Sequence, residues 1–393
     1  MGSIKGNKVL SLESFLCEGE FGSGKYYGYN NKKIISLVRI KTKNKTIGYG
    51  ESLVGIYSPE LFQINIIYLS RYFVNKNAEE CLKVIELLQK NKFFLINGVI
   101  KSLLAAIEIA LIDIFSRENN LTLAKAIAYL YKLNKYDIFN NNDLVSLYSS
   151  AGSINSNIKD LESDAKKSKK LNIERIKIRI DSQKPYLNKI KCMTSNINEL
   201  AVDMIANSYP KNTNIKNIEK FLEDTHEYDF LWIEEPLIVE KLHYFKKLKK
   251  QFNKIKFSYG ENFNSSYDFI NLIESFRFNY INPDISHITI QDFLNIVNLL
   301  KNKNSKSKKI ILHCWGGVIN LNMSLVLASL LKDYIKYVEF PIADFSLNEK
   351  YISECNIKKS TLIINDQIIG NPDYFINSSK IKKIKKKSVF NFD

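Results

Sequence analysis

From Lys33 to Glu51 the chain alternates branched apolar and polar residues, IISLVRI and then TIGYGE, around a polar turn at Lys43 and Asn44. That period of two predicts a β-hairpin opening a small N-terminal α+β unit. Between about Pro59 and Tyr131 the period changes to helical, with Leu103, Leu104, Ile107, Leu111 and Ile114 on one face at i, i+3, i+4 spacing. These helices are expected to pack on the hairpin sheet. After about Asn140, short apolar runs alternate with longer helical stretches: VSLYSS, RIKIRI, ELAVDM, FLWIEE, KIKFSYGE, FNYINPD and KIILHCW. Strands alternating with helices predict parallel βα units.

Several of these runs end in a polar group: Asp203, Glu234, Glu261, Asp284 and His313, spaced 31, 27, 23 and 29 residues apart. A (β/α) barrel of about 250 residues spends about 31 on each unit, so each interval is close to one repeat. The C-terminal ends of barrel strands open onto one mouth, whereas the strand middles fill a packed core. A single acidic residue in such a place would be read as a helix cap; five in register are read as a site.

Asp203, Glu234 and Glu261 form a set of hard oxygen donors without Cys or His, which suits one Mg²⁺. Glu235 should point to the other side of its strand and is a weaker candidate. On the preceding strand Arg175, Lys177 and Arg179 alternate with Ile176, Ile178 and Ile180, so the cations share one face. A row of buried cations is costly unless it faces negative charge. His313 lies one repeat beyond Asp284, close enough for the carboxylate to fix the tautomer and basicity of the imidazole. His226, His243 and His287 have no such partner in register and are expected to be surface or structural residues. A cation, a cationic strand and a His/Asp pair around one mouth would stabilise an enediolate formed by removing the proton α to a carboxylate.

Composition narrows this further. The 393 residues carry 57 Lys plus Arg against 41 Asp plus Glu, a net charge of +16. Lys, Asn and Ile are abundant and Arg is scarce, the signature of a coding bias, and the lysines are spread along most of the chain rather than gathered into a patch. No specific nucleic-acid partner is expected. The dense run Lys380 to Lys387 reads as a solvated tail before an anion-binding arm. Five widely spaced cysteines with no C-x-x-C pair make neither a disulfide framework nor a zinc ribbon. No secretory signal is visible, and Lys101, Glu108 and Asp113 interrupt the most apolar stretch, so a cytoplasmic protein without a membrane span is expected. Gly19 to Tyr26 fits G-x-x-x-x-G-K, but Tyr26 replaces the Ser or Thr of a phosphate loop, and no strand before it or helix after it is expected.

TIGYGES, SLLAAIEIALIDI, RIKIRI, LAVDM, WIEEPL, YGEN, INPD, LHCWGG and VEFP together resemble the enolase superfamily, in its mandelate racemase branch. The resemblance implies a modified TIM (β/α) barrel over about 140–339. It also implies an α+β capping domain from 1–135, completed by about 340–393. It implies Mg²⁺ on Asp203, Glu234 and Glu261, a small-molecule carboxylate substrate and a homo-oligomer. Lysine stands in the muconate cycloisomerase branch where this chain has Asp284, so the Asp284 and His313 pair fits racemases and acid-sugar dehydratases. Glu339 of VEFP resembles the family's glutamate that hydrogen-bonds the substrate carboxylate.

The family's Lys-x-Lys reads here as Lys177-x-Arg179, or as Arg175-x-Lys177 if shifted by two. Arginine is no base at neutral pH. In the first alignment Lys177 and Arg179 are electrophiles and His313 supplies the proton transfer, which favours an acid-sugar dehydratase over a two-base racemase or epimerase of a 2-hydroxy acid. A basic nucleic-acid or anionic-surface binder with an inactive barrel is the reading from another class. Specificity is expected to rest on two lid segments, Glu18 to Tyr27 and Leu53 to Pro59. The family's Gly-Gly after Asp284, where Ser286 to Thr289 stand, and its C-terminal Pro-Gly-Leu-Gly are missing.

Overall fold

The computed structural model describes residues 7–21, 32–91, 98–133, 144–209, 214–302, 309–343, 345–363 and 382–383. Strands β1 (Val9–Glu20), β2 (Lys32–Thr42) and β3 (Ile47–Ser52) form an antiparallel sheet with β2 in the centre. The β2–β3 turn closes through Thr42 N to Thr46 O at 2.9 Å, with Lys45 at φ 68°. Strand β1 runs into the glycine-rich segment, so the expectation that no strand precedes it is overturned. The run VLSLESFLCEGE lacks a clean period of two, with Val9 and Leu10 adjacent and Phe15, Leu16 and Cys17 consecutive, and its register on β2 shifts between Val9 and Ser11. Residues 22–31, including most of the first lid segment, lie outside the described residues.

Helices α1 (Val54–Tyr57), α2 (Pro59–Phe73), α3 (Ala78–Lys90), α4 (Val99–Glu118) and α5 (Leu123–Leu130) follow. Pro59 begins α2 where no amide hydrogen bond is lost, and Asn77 with Glu80 makes a reciprocal capping box for α3. Phe62, Ile66, Leu69 and Phe73 of α2 bury against Val38, Ile40, Leu103 and Ile107, each contributing about 1.5–3 kcal/mol. The glycines of TIGYGES have a packing reason. A Cβ on Gly50 would sit 1.7 Å from the Ala106 carbonyl oxygen, and one on Gly48 2.2 Å from that of Ala110. Helix α4 therefore lies with its backbone directly on β3. The three charges that interrupt its apolar run are all engaged: Lys101 pairs with Asp292, Glu108 accepts from Ile290 N at 2.5 Å, and Asp113 accepts from Tyr49 N at 3.2 Å.

The barrel strands and their connecting helices come in strict alternation. They are β4 (Leu144–Ala151), α6 (Ile158–Lys170), β5 (Arg175–Arg179), α7 (Leu187–Asn196), β6 (Glu199–Asp203), α8 (Ile215–Asp224) and β7 (Ile233–Glu234). There follow α9 (Phe245–Gln251), β8 (Phe257–Tyr259), α10 (Ser266–Asn271), β9 (Tyr280–Ile281), α11 (Ile290–Asn302), β10 (Ile310–Leu312), α12 (Val318–Leu330) and β11 (Ile335–Pro341). Each strand pairs in parallel with the next and β11 pairs with β4, which closes an eight-stranded barrel. Ile176, Ile178, Leu200, Val202 and Ile233 face the helices. The opposite parity fills the interior with Tyr148, Ala201, Trp232, Tyr280, Ile311 and Tyr337, an aromatic floor under the mouth.

Past the barrel come α13 (Glu349–Glu354), β12 (Ile357–Lys358) and β13 (Thr361–Ile363), the last antiparallel to β4. Strand β14 (Lys382–Lys383), from the lysine-rich run, pairs with Cys17 and Glu18 at the edge of the cap sheet. Among the described residues no helix is long and apolar enough to cross a membrane.

Candidate active site

Strand register brings the strand-end residues together. Arg179 is paired with Asp203 across β5 and β6, Asp203 with Glu234 across β6 and β7, and Asp284 forms a parallel bridge with His313. Because alternate residues share a face, Lys177, Asp203, Glu234, Asp284, His313 and Glu339 all project inward at the C-terminal rim. Oxygen atoms of Asp203, Glu234 and Glu261 lie within 4.8 Å of one another.

Lys177 is fully buried among these carboxylates. Its Nζ lies 2.6 Å from Glu234 Oε1, 3.5 Å from Asp203 Oδ2 and 3.8 Å from Glu339 Oε2. Burial alone would lower the ammonium's pKa, but Glu234, Glu339, Asp203 and Glu261 outweigh it and raise Lys177 above its ordinary value. Arg179 stands further out, its Nε 3.9 Å from Asp203 Oδ2 and its Nη1 donating to the Gly152 carbonyl at 3.0 Å. Arg175 shares this face but belongs to the other end of the barrel, where it pairs with Glu199 at 2.5 Å and lies over Tyr337. Of the two alignments of the cationic strand, the geometry places Lys177 and Arg179 beside the carboxylates.

Glu234 Oε2 accepts from Trp232 Nε1 at 2.8 Å and Asn282 Nδ2 at 3.1 Å. Burial and the neighbouring carboxylates still push it up to about 7 against the pull of Lys177. Glu261 is likewise raised by burial. Asp203 Oδ1 accepts from Ile205 N at 2.8 Å, while its buried Oδ2 accepts no hydrogen bond among the described residues. Three crowded carboxylates, one with an oxygen left over, fit a divalent cation with a preference for oxygen ligands.

His313 Nδ1 lies 2.6 Å from Asp284 Oδ2, and its Nε2 lies 3.3 Å from Glu261 Oε2 and 3.7 Å from Glu339 Oε2. Burial opposes the charged imidazolium, but Glu339, Glu261 and Asp284 carry it up to about 10. Asp284 is also raised by burial, and the hydrogen bond and charge of His313 reverse that and bring it down to about 2. Glu339 Oε2 accepts from Tyr148 Oη at 3.1 Å and Cys314 N at 3.2 Å. Despite its burial, Lys177, His313 and Arg179 hold it down at about 2, so it is a carboxylate that accepts hydrogen bonds here.

The mouth is lined by Leu53, Tyr57, Arg179, Ile205, Ser208, Glu261, Asn262, His287, His313 and Trp315, around about 30 Å³ of free space. His287, expected to be surface or structural, lines this cleft; burial lowers its pKa despite Asp284 nearby. His226 and His243 are exposed. Glu235 is buried at φ 42°, with Oε1 accepting from Asn207 at 2.7 Å and Asn262 at 3.2 Å, so it stands beside the three carboxylates without joining them. Trp232 and Asn282 were legible in principle, each two residues before a strand-end acid and hence on its face. Tyr148 carried no such signal.

A closed parallel barrel with a capping sheet and an acidic cluster at its mouth defines the class of capped barrel enzymes. Residues 160–368, more than half of the chain, match the family described as enolase C-terminal domain-like, and the chain belongs to the enolase superfamily. Its structure is similar to the 3,6-anhydro-D-galactonate cycloisomerase of Zobellia galactanivorans, at 18% identity over 96% of this chain and all of that one, TM-score 0.75. It is also similar to an enolase-superfamily member of Agrobacterium tumefaciens, at 19% identity over 91% and 94% of the two chains, TM-score 0.72. A mandelate racemase/muconate lactonizing enzyme of Polaromonas sp. JS666 matches at 18% identity over 91% and 92%, TM-score 0.71. At these identities the likeness is one of fold. No curated protein matches the sequence.

Proposed function

We propose that the protein removes the proton α to the carboxylate of a sugar acid and expels the oxygen substituent on the adjacent carbon. The observation that carries this reading is the division of labour around the mouth. One imidazole, His313, is oriented by a carboxylate at 2.6 Å, whereas the cations opposite it are Arg179 and a Lys177 held protonated by the carboxylates around it. A racemase needs a second base at the mouth; Arg179, the cation that lines the cleft, cannot act as one, and Lys177 Nζ is engaged by Glu234 Oε1 at 2.6 Å. The arrangement therefore favours a one-base elimination.

In the proposed reaction His313 takes the α-proton and the C–H electron pair moves into the carboxylate as an enediolate. Lys177 and Arg179 stabilise that negative charge, and Glu339 holds Lys177 in place. The enediolate electrons then form the double bond as the β carbon–oxygen bond breaks, and His313 returns the proton to the departing oxygen. The net change is loss of water and formation of an enol that becomes a 2-keto acid. Where the leaving oxygen is tethered in a ring, the same step opens the ring and the product is an isomer, the kind of net change that the name of the Zobellia cycloisomerase describes. A Mg²⁺ ion held by Asp203, Glu234 and Glu261 would supply Lewis-acid stabilisation of the substrate carboxylate. The 30 Å³ cleft holds only one or two water molecules, so a sugar acid gains access when Leu53 and Tyr57 of the cap withdraw.

A library of mono- and diacid sugars, including anhydro acids, screened with Mg²⁺ for 2-keto-3-deoxy products tests the reading. Inversion at the α carbon without a keto product would replace it with a racemase.

A further inference from the structure

Resting on the proposed reaction, one set of contacts between cap and barrel goes beyond it. Glu51, at the end of cap strand β3, is buried in the barrel mouth at 1% exposure. One of its oxygens accepts from Gly317 N and the other from Asn320 N at 3.1 Å. Those amides form the N-terminus of α12, where no side chain of that helix's own N-cap residue serves as a cap. The same Asn320 turns its Nδ2 to Asp284 Oδ1 at 3.1 Å, and Asp284 Oδ2 holds His313. A continuous chain of hydrogen bonds thus runs from the cap through Asn320 and Asp284 to the imidazole.

The neighbouring contacts point the same way. Lys33 of β2 donates to the carbonyl of Trp315, two residues beyond His313, and its ammonium lies 4.1 Å from the Trp315 ring. Ser102 of the cap donates to the carbonyl of Ser286, whose N and Oγ donate to Asp284 Oδ1 at 2.8 and 2.5 Å. Gly316 and Gly317 allow this approach: a Cβ on Gly316 would lie 2.5 Å from Glu51 Oε1, and one on Gly317 2.3 Å from Ile35 Cδ1.

We propose that Glu51 is a positioning residue for the Asp284 and His313 pair, so that the cap sets the aim of the catalytic imidazole as well as covering the mouth. Glu51 touches neither substrate nor reacting atoms; it acts through Asn320. In the full-length protein, Glu51→Ala is expected to lower the rate of α-proton exchange at saturating sugar acid by about 100-fold, with KM changed by less than about threefold. Glu51→Gln keeps one acceptor oxygen and should lose only about tenfold. In substrate-free protein the downfield proton resonance of the His313 to Asp284 hydrogen bond should shift or broaden in Glu51→Ala.

Glu108→Gln alters a comparable capping contact at the start of α11 while keeping one acceptor oxygen, as Glu51→Gln does, and should leave rate and resonance unchanged. If Glu51→Ala does not fold, Asn320→Ala decides, because it breaks only the link to Asp284 through which Glu51 acts and should cost a comparable factor, about 100-fold. Unchanged rate and resonance in a folded Glu51→Ala, or in Asn320→Ala, would overturn the proposal. Should no acid exchange its proton with the unsubstituted protein, the reaction reading fails instead, and the resonance alone decides the role of Glu51.

Discussion

In cation-free protein the proton on His313 is held by its carboxylate neighbours, and replacing one of them should release it by a calculable amount. Burial alone would lower the imidazolium from 6.5; Glu339, Glu261 and Asp284 reverse that and bring it to about 10. Glu261 is the carboxylate nearer to Nε2, at 3.3 Å against 3.7 Å for Glu339. At an effective dielectric of about 20, a charge pair at that range is worth about 5 kcal/mol before solvent and neighbouring charges reduce it. Shared among three carboxylates and offset by desolvation, the part due to Glu261 is on the order of 1–2 pH units. Glu261→Gln in chelator-treated protein should therefore lower the His313 pKa by about that much. The pH titration of the imidazole resonances in ¹⁵N-histidine-labelled protein reads it directly, since only four histidines are present. Mg²⁺ should lower the same pKa in the unsubstituted protein, because the cation competes for the Glu261 charge, and should do so far less in Glu261→Gln. A His313 pKa that stays near 10 or rises on loss of Glu261 would refute the electrostatic reasoning.

Three further outcomes follow from the same geometry. Lys177→Met leaves Glu234, Asp203 and Glu339 without their shared ammonium; urea unfolding of the cation-free protein should show a loss of about 3–5 kcal/mol, narrowed by Mg²⁺, and undiminished stability would contradict the pairing. Burial raises Glu108 from 4.5 to about 7, even though Tyr131, Ile290 and Gln291 donate to it. Between those values the folded state binds more protons than the unfolded one, so this contribution is greatest below about pH 4.5 and falls by on the order of 3 kcal/mol as pH rises through about 7. Unfolding of Glu108→Gln at pH 5 and pH 8 should show a correspondingly smaller drop than the unsubstituted protein. Gly50→Ala would press a methyl group into the Ala106 carbonyl at 1.7 Å, so thermal unfolding should show a loss at the upper end of the roughly 1–3 kcal/mol of overpacking or beyond it, and an unchanged midpoint would mean that α4 can move off the sheet.

The barrel was legible because its information is periodic. One polar residue per repeat at the end of an apolar run, from Asp203 to His313, encodes both the strand and the rim it opens onto. The alternation of cations with Ile176 and Ile178 showed which face of β5 turns inward, but alternation cannot say how far along the barrel axis each cation lies. That is why Arg175, on the correct face, belongs instead with Glu199 at the far end. Strand β1 went unread because its apolar side chains are interrupted by polar ones and it leads into glycines. The hidden part of the site is the part assembled from distant segments. Glu51 and Asn320 are 269 residues apart, and their contact depends on how the cap docks, which no local pattern records. The same holds for His287, whose register gave it no partner although the closure of the barrel puts it in the cleft.

The central claim is that His313 moves the α-proton of a sugar acid beside a cation held by Asp203, Glu234 and Glu261. Proton exchange at the α carbon in D₂O, followed by NMR for the unsubstituted protein and His313→Asn with Mg²⁺ present and binding verified by calorimetry, tests it most directly. The expected result is exchange or elimination in the unsubstituted protein, abolished in His313→Asn while Mg²⁺ still binds. Undiminished exchange in His313→Asn, or equal exchange after chelation, would contradict the claim.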